Sequence, residues 1–410
     1  MNKKIELLAP AGSFEKAKIA YLYGADAVYC GTSSLSLRAR ADMENEDLEK
    51  TIKYAKEIGK KVYVTLNIFA WDEKYEEIIE MAKKLEQLKP DGIIAADVGV
   101  IETLKQYAPT VPINVSTQAN IISLQDCKFW YKQGAKRVIM AREMNKNQLK
   151  YIMENKPKDL EVEVFIHGAI CFAFSGRCFL SDFLSCRSAN LGDCAQSCRW
   201  SYNLYAEEKN NPGELMPIET SEYGTSIFSS KDLCLINELP EIIQMGIDSL
   251  KIEGRLKTEY YMASVVNCYR NAIDEYQKNP QNYDATTYLK ELEKVKTRGL
   301  TTFYFNDRNN KDIQEYGGRQ YNENYEFGGK VIEYNEEKSI IEIKNKLQVG
   351  DTLEIIIPNK ITPYEFKIEK LWNDETDEEI SEVSPGVKGQ KVKMKLPISC
   401  QKDWILRRKK

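Results

Sequence analysis

Residues 161–200, EVEVFIHGAICFAFSGRCFLSDFLSCRSANLGDCAQSCRW, join a β-strand pattern to a loop rich in cysteine. Positions 162, 164 and 166 hold Val, Val and Ile and alternate with Glu, Glu and Phe, a period of two that is typical of a half-buried strand. The pattern ends at His167, the only histidine of the chain. Five of the ten cysteines follow, at positions 171, 178, 186, 194 and 198. The stretch therefore predicts a strand with a chemically specialised loop at its carboxyl end.

Similar strand patterns recur along most of the chain and are separated by helix-length segments. Stretches such as residues 45–58 and 73–87 carry apolar residues at three- and four-residue spacing, which indicates helices. Eight strands that alternate with helices predict a (β/α)8, TIM-like barrel, and a doubly wound parallel sheet is the alternative topology. The predicted strands are residues 4–9, 26–31, 61–67, 91–97, 113–118, 137–143, 161–167 and 248–253.

The pattern changes near residue 328, where segments become short, alternating and bounded by turn signals such as Pro385-Gly386. This predicts a small all-β C-terminal barrel or sandwich. The expected domains are a catalytic barrel over residues 1–300 with the cysteine loop at 168–200, a connector at 301–327 and the β appendage at 328–410. The basic tail, residues 407–410, is a candidate for contact with nucleic acid phosphates, and a solvated terminus is the alternative.

The composition is that of an ordinary globular protein, with 410 residues, 42% hydrophobic and 29% charged. No apolar stretch has the length of a membrane span. The net charge of −4 excludes a generally basic nucleic-acid coat but leaves room for local basic patches, for which Arg177, Arg187 and Arg199 are candidates. The first residues, MNKKIELLAP, contain no apolar signal segment, so we expect a cytoplasmic protein.

Three chemical interpretations compete for the cysteine loop. A disulfide framework needs an oxidising compartment and is typical of small secreted chains. Structural zinc prefers C-x2-C pairs, whereas the spacings here are C-x6-C, C-x15-C and C-x3-C. Four thiolates around a [4Fe–4S] cluster fit a reducing compartment, and the spacing favours iron–sulfur slightly over zinc. Cys186 has no neighbouring glycine and is left out of the expected set.

Polar residues stand at the carboxyl ends of most predicted strands. Barrel enzymes build their active sites from this end, so we expect a polar pocket beside the cysteine loop. For any single residue, strand capping or an internal salt bridge is an equally good explanation. The strand-end residues are Asn67, Asp97, Gln118, Arg142, Glu143, His167, Lys251, Glu253 and Arg255.

Several motifs resemble peptidase family U32, the collagenase-like peptidase family. They are ELLAPAG at residues 6–12, GADAVYCG at 24–31, FIHGAICFAFSGRCFLSDF at 165–183, NLGDCAQSCRW at 190–200 and SLKIEGR at 249–255. The resemblance covers the whole predicted barrel. The chain length and the β appendage point to the tRNA hydroxylation branch of the family, which is implicated in making 5-hydroxyuridine at the wobble position. Relatives act in ribosomal RNA hydroxylation and in oxygen-independent ubiquinone synthesis.

The resemblance implies a [4Fe–4S] cluster and specific ligands for it. Its cysteines map onto Cys171, Cys178, Cys194 and Cys198, with Cys234 as the reserve candidate for the fourth ligand. For the RNA enzymes it also implies prephenate as the source of the hydroxyl group. The expected partners are tRNA, a small anionic co-substrate and a paralogous subunit of the same family. We expect no association with a membrane.

On this basis we expect a uridine to flip out of the RNA into the pocket, because an enzyme cannot reach a stacked base. Guanidinium and ammonium groups can bind an anionic co-substrate, and imidazole and carboxylate groups can transfer protons. Side-chain amides can form hydrogen bonds with the substrate. The residues assigned to these roles are Arg142, Lys251 and Arg255 for the anion, His167, Glu143 and Glu253 for protons, and Asn67 and Gln118 for the substrate.

Two other functions stay open. A peptidase needs a nucleophile with a positioned base, or a zinc ion with histidine or carboxylate ligands. The sequence has no HExxH pair, and its one histidine cannot supply one. A non-catalytic scaffold for a partner subunit is the second alternative.

Overall fold

The computed structural model describes residues 5–32, 34–36, 43–171, 173–174, 177–178, 180–200, 202–207, 209–210, 212–213, 215–218, 230–307, 310, 312–313, 324–386 and 390–410. The chain divides into two compact units. The barrel unit comprises Met1–Ala17, Asp26–Leu256 and Thr297–Tyr321, and the C-terminal unit comprises Lys18–Ala25, Lys257–Lys296 and Asn322–Lys410. Residues 257–296 thus group with the C-terminal unit rather than with the predicted barrel. Part of the predicted connector, residues 308–309, 311 and 314–323, lies outside the described residues.

Eight parallel strands form a closed barrel, which confirms the predicted fold. Neighbours in the sequence pair in order, and the last strand pairs with both the first and the seventh, so the sheet closes on itself. A doubly wound sheet would have left two open edges. The strands are β1 (Glu6–Pro10), β2 (Ala27–Gly31), β3 (Lys61–Thr65), β4 (Gly92–Ala95), β5 (Ile113–Val115), β6 (Arg137–Ile139), β7 (Glu161–Ala169) and β11 (Ser249–Ile252).

Four short strands lie outside the closed barrel. β8 (Leu204–Glu207) and β9 (Leu215–Ile218) pair as an antiparallel hairpin. β10 (Asp232–Cys234) runs antiparallel to the carboxyl end of β7, and β12 (Leu300–Thr301) pairs with β10. The end of β7 is therefore bonded on one side to β10 and on the other to β11.

Helices connect the strands, as the spacing of apolar residues predicts. Two begin with a reciprocal capping box, at Ser123 and at Asn145, which satisfies otherwise unpaired backbone donors. Asp97 accepts a hydrogen bond from the Val100 amide and caps a helix, so this strand-end residue is structural. The helices are α1 (Phe14–Leu22), α2 (Asn45–Glu57), α3 (Tyr75–Leu88), α4 (Val98–Tyr107), α5 (Leu124–Lys132), α6 (Lys146–Asn155), α7 (Leu180–Ser185) and α8 (Leu239–Gln244).

The C-terminal unit is an antiparallel half-barrel with two helices, α9 (Glu259–Lys278) and α10 (Thr286–Leu292). Alternate residues of its strands, among them Val331, Ile341 and Leu353, form an apolar core. The described elements from Tyr325 onward are all strands, which confirms the all-β domain predicted from residue 328. Its strands are β13 (Tyr325–Glu333), β14 (Ser339–Ile343), β15 (Leu347–Gln348), β16 (Thr352–Ile356), β17 (Tyr364–Lys367), β18 (Leu371–Asn373), β19 (Glu379–Ile380), β20 (Glu382–Val383), β21 (Lys391–Met394) and β22 (Ile405–Lys409).

The basic tail is part of this sheet, and its first arginine is not available to phosphate. Arg407 is 1% exposed and pairs with Glu354 and, at 2.6 Å, with Glu291. Arg408 pairs with Glu326 at 2.7 Å and with Asp351. A buried guanidinium needs such partners, since an unpaired charge would be costly. The expectation of phosphate contact is therefore wrong for Arg407. Among the described helices, none is both long and apolar enough to cross a bilayer.

A network of buried charges lies inside the barrel at the amino-terminal ends of its strands. An internal salt bridge was the alternative explanation for Lys251 in the sequence analysis, but the roles of Glu6, Arg137 and Glu163 were not predicted. Arg137 Nη1 contacts Glu6 Oε1 at 2.6 Å and Glu163 Oε2 at 2.9 Å. Lys251 Nζ contacts the other oxygen of Glu163 at 2.9 Å, and the Tyr63 hydroxyl donates to Glu6 at 2.9 Å. Each charge has a partner of opposite sign, which offsets the cost of removing it from water.

We expect acid to destabilise the barrel through Glu6. Burial opposes its ionisation, but the charge and hydrogen bonds of Arg137 and Lys61 lower its pKa to about 2. A lowered pKa contributes stability above the ordinary value near 4.5 and loses it as the pH falls towards about 2. Glu6→Gln should therefore lower the free energy of unfolding by about 3–5 kcal/mol near neutral pH, and less in acid, in urea titrations.

The matched control is Glu57→Gln, because Glu57 is exposed on α2. It should change the free energy of unfolding by less than about 0.5 kcal/mol. Equal behaviour of the two variants would contradict the assigned role of Glu6.

Candidate functional site

A cavity of about 110 Å³ is lined by residues from the carboxyl ends of the barrel strands and from the cysteine loop. Ten of the twelve residues that the sequence analysis selected are on its wall. They form a charged group, an amide group and a thiol group. The ten are Asn67, Gln118, Arg142, Lys251, Glu253, Arg255, Cys171, Cys178, Cys194 and Cys198.

Three cations line one part of the wall and are held by different contacts. The Arg142 guanidinium lies 3.7 Å from the centre of the Phe165 ring and 3.6 Å from Glu253 Oε2. Burial lowers the pKa of Arg142, and the nearby Glu253 carboxylate counteracts that shift. The Arg255 Nη1 atom donates to the Thr65 hydroxyl at 3.0 Å. These contacts fix both guanidinium groups at the cavity.

Lys251, the third cation, connects the cavity to the buried network below. Its ammonium group pairs with Glu163 and lies 4.2 Å from the centre of the Tyr29 ring. Burial lowers the pKa of Lys251, and Glu163 works against this change. Three cations thus face two carboxylates, Glu163 and Glu253. The wall therefore carries a local excess of positive charge, which suits an anionic ligand.

An amide pair lines another part of the wall. The Asn67 Nδ2 group, which follows β3, donates to Gln118 Oε1 at 2.8 Å, and the Ser116 hydroxyl approaches the same oxygen at 3.4 Å. Side-chain amides offer both donors and acceptors. This part of the wall can therefore form hydrogen bonds with a planar polar group such as a nucleobase edge.

The cysteine loop, residues 168–200, folds back on itself through backbone contacts. The Cys178 amide donates to Asn190 Oδ1 at 3.3 Å, and Asn190 Nδ2 donates to the Cys178 carbonyl at 3.2 Å. The Gln196 amide, on a residue with a left-handed φ of 57°, donates to the Cys194 sulfur at 3.3 Å. Of this loop, residues 172, 175, 176 and 179 lie outside the described part of the chain.

The donor set of the loop fits an iron–sulfur cluster. Burial raises the pKa of the Cys198 thiol, Arg199 lowers it, and the neighbouring Cys171, Cys194 and Cys178 raise it further. Within the described residues, no three or more His, Cys, Asp or Glu side chains form a site for a single metal ion. A four-iron cluster is larger than one ion, and four thiols on one wall are the ligand type that it takes.

The remaining candidate cysteines have other environments. Cys234, the reserve ligand, is buried in β10, where its backbone is paired with His167. Cys186 is exposed, although it belongs to the same loop. Neither is among the cavity-lining residues. The structure therefore groups Cys198, rather than Cys234, with the other three thiols.

His167 and Glu143 are the two selected residues that the cavity wall does not include. β7 continues to Ala169, so His167 lies within the strand rather than at its end, and it is 1% exposed. β6 stops at Ile139, so Glu143 lies in the turn before α6. The placement leaves Glu253 as the selected carboxylate that faces the cavity.

Comparison with known proteins agrees with this architecture. Residues 12–315 match the profile of "Peptidase family U32", and residues 323–407 match "Peptidase family U32 C-terminal domain". The chain belongs to peptidase family U32. Among U32 relatives, "tRNA hydroxylation protein P1" of Bacillus subtilis is 39% identical over 92% of this chain and 89% of its own length.

Two other relatives carry different names. "tRNA hydroxylation protein P" of Escherichia coli is 35% identical over 87% of this chain and 86% of its own length. "Collagenase" of Porphyromonas gingivalis is 32% identical over 94% of this chain and 93% of its own length. The relatives of this chain are therefore named for two unrelated activities.

We expect Gly168 to be irreplaceable. Its φ is +108°, and a Cβ atom there would lie 2.4 Å from the Glu253 carbonyl oxygen. Gly168→Ala must therefore move Glu253 and the β7–β11 contact as well as strain the backbone. Gly134→Ala is the matched control, since φ is +87° but no atom lies within 4 Å of the added Cβ.

In chemical denaturation, Gly134→Ala should lose about 1–2 kcal/mol from backbone strain alone. Gly168→Ala should lose at least about 2 kcal/mol more, as over-packed sites do. If the two variants lose the same free energy of unfolding, the close approach of Gly168 to Glu253 does not limit the residue at position 168.

Proposed function

We propose that this U32 protein is a tRNA-modifying hydroxylase that converts a uridine to 5-hydroxyuridine with an iron–sulfur cluster and an anionic co-substrate. The observation that carries the proposal is the shared cavity, whose lining includes four thiols, three cations and an amide pair. Thiolates are suited to an inorganic cluster, cations to carboxylates and amides to a base edge.

The cluster ligands in this proposal are Cys171, Cys178, Cys194 and Cys198. When bound, a [4Fe–4S] cluster supplies electron transfer next to the cavity. The hydrogen bond from the Gln196 amide to the Cys194 sulfur would help to set its potential, since such bonds stabilise charge on sulfur. The proposed ligand loop is anchored to the barrel by β7.

The co-substrate would bind to Arg142, Lys251 and Arg255. Prephenate is the candidate, because its carboxylates match guanidinium and ammonium donors. Hydroxylation replaces the C5–H bond of uracil with a C5–OH bond and oxidises the base, so the donor of the hydroxyl group must be reduced in the same reaction. The cations would hold that donor beside the base.

The uridine would leave its stack and enter the cavity, since a stacked base is inaccessible. Asn67 and Gln118 would form hydrogen bonds with its polar edge, and Glu253 would accept the proton that leaves the ring. Arg142 lies 3.6 Å from Glu253 and would hold this carboxylate in place at the cavity.

Relatives named as tRNA hydroxylation proteins, which match nearly the full length, support the choice of tRNA. The peptidase alternative has a relative named collagenase but less chemical support. A peptidase needs an activated nucleophile or a metal-bound water. The one histidine, His167, is not a cavity-lining residue.

We expect Cys171→Ser and Cys194→Ser to lose bound iron and sulfide, because each would remove a thiolate ligand. The measurement is iron and sulfide content after anaerobic purification. Cys186→Ser is the matched control, since Cys186 lies in the same loop but is exposed. It should retain its full iron content, and a loss equal to that of Cys194→Ser would contradict the proposed ligand set.

A strain that lacks this protein, and any redundant pathway, should lose 5-hydroxyuridine from its tRNA. Complementation with Glu253→Gln should fail to restore it, whereas the Cys186→Ser protein should restore it. Mass spectrometry of tRNA nucleosides measures both. Unchanged 5-hydroxyuridine in the deletion strain would defeat the tRNA assignment, and hydrolysis of gelatin by the purified protein would favour the peptidase alternative.

A further inference from the structure

Several large aromatic side chains are exposed on segments that follow the carboxyl ends of β3 and β7, and both segments also contribute residues to the cavity wall. Trp71 is 69% exposed in the segment after β3, and Phe183 is 71% exposed on α7 of the cysteine loop. Phe174 and Trp200 belong to the same loop and are also exposed. We call these four residues the aromatic rim. Large exposed apolar groups next to a cavity indicate a surface that receives a partner.

Direct contacts join the segments that carry the rim. The Phe69 amide, two residues before Trp71, donates to the Asn190 carbonyl of the cysteine loop at 3.2 Å. Arg177 lies 4.9 Å from the centre of the Phe69 ring and donates to the Gln118 carbonyl at 3.2 Å. The segments after β3 and β5 and the cysteine loop are therefore in direct contact, and each contributes residues to the cavity wall.

The rim is at least partly pre-ordered. The Trp200 indole Nε1 donates to the Ala195 carbonyl at 3.2 Å, which orients the ring. Arg199, its neighbour, donates from Nη2 to the Ile170 carbonyl at 3.2 Å. A ring that is already oriented loses little conformational freedom when a partner stacks on it.

We infer that the aromatic rim is a stacking platform for the unpaired RNA bases on either side of the nucleotide that enters the cavity. The inference rests on the proposed function and adds to it how the RNA is held. Proteins read single-stranded RNA loops by stacking splayed bases on aromatic rings and arginine planes. Exposed Arg177 stands among the rim residues and adds a guanidinium to them.

Charge explains why stacking is needed. The net charge of −4 gives the protein little overall attraction for phosphates. Of the candidate arginines, Arg187 is paired with Asp193 at 2.8 Å. The cavity wall includes three cations and an amide pair, which offer a nucleobase edge hydrogen-bond partners that an apolar side chain would leave unused. Stacking energy would therefore supply a large share of the affinity.

The test is RNA binding by the anaerobically purified full-length protein, with an unmodified tRNA anticodon stem-loop as the probe. Trp71→Ala, Phe183→Ala and Trp200→Ala should each weaken binding by about 5- to 150-fold, the range for one stacked base. Phe129→Ala is the matched control, because Phe129 is 53% exposed but lies on α5, outside the two segments that carry the rim. Its affinity should equal that of the wild type.

Salt dependence separates stacking from phosphate contact. The rim variants should keep the wild-type slope of affinity against salt, whereas Arg177→Ala should reduce it by about one. Iron content and unfolding midpoints should stay at wild-type values in all four aromatic variants.

The outcomes distinguish this inference from the function beneath it. Rim variants that bind RNA as well as wild type would overturn the stacking platform and leave the hydroxylase proposal intact. A wild-type protein that fails to bind the stem-loop would overturn both. Binding of a collagen-like peptide that is lost in the rim variants, with no RNA binding, would replace RNA with a peptide as the occupant.

Discussion

The parallel pairing of β11 with β7 is the constraint on which the rest of the structure depends. It closes the sheet and places Lys251 beside Phe165 and Ile252 beside His167. The ion pair between Lys251 on β11 and Glu163 on β7 joins these two strands. The contact that closes the barrel therefore also positions a charged residue of the cavity. Gly168 lets the two backbones approach closely enough for the Glu253 amide to donate to the His167 carbonyl at 2.8 Å.

Some charged groups inside the barrel pair with one another, whereas Lys251 also contributes to the cavity wall. Glu6 and Glu163 both pair with Arg137, and the loss of any one of these groups would leave another charge buried without its partner. Lys251 faces both ways, since it pairs with Glu163 and also lines the cavity. In a water-poor cavity, electrostatic attraction is stronger than in solvent. An anionic ligand would therefore complete the charge balance of the site.

Much of this architecture could be predicted from the sequence, because the strands have a clear apolar pattern and polar residues follow them. The set of four loop cysteines was identifiable from spacing and motif resemblance. β7 ends at Ala169 and β6 at Ile139, whereas the predicted ends were residues 167 and 143, because pattern alone does not locate strand ends. His167 and Glu143 are therefore not on the cavity wall, and their roles in proton transfer stay predictions. The inward direction of Glu163 and Arg137 depends on which face of a strand meets the barrel interior, and that is decided only by closure.

The tail illustrates the same difficulty. Arg407 and Arg408 look like a mobile basic end, yet β22 pairs with both β13 and β16 at the centre of a sheet. Because side chains alternate along a strand, one of the two arginines should point inward. The sequence around Arg407 does not show that Glu291 and Glu354, which are distant along the chain, would pair with it and make its burial possible.

The filling of the barrel below the cavity has a kinetic consequence. Tyr63, Arg137, Glu6 and Glu163 occupy the interior from the opposite end. Among the described residues these side chains fill the amino-terminal end of the barrel, so the ligands of the proposed reaction would reach the cavity from the carboxyl end. A small ligand that binds deeper than the polynucleotide would then have to enter before it and leave after it.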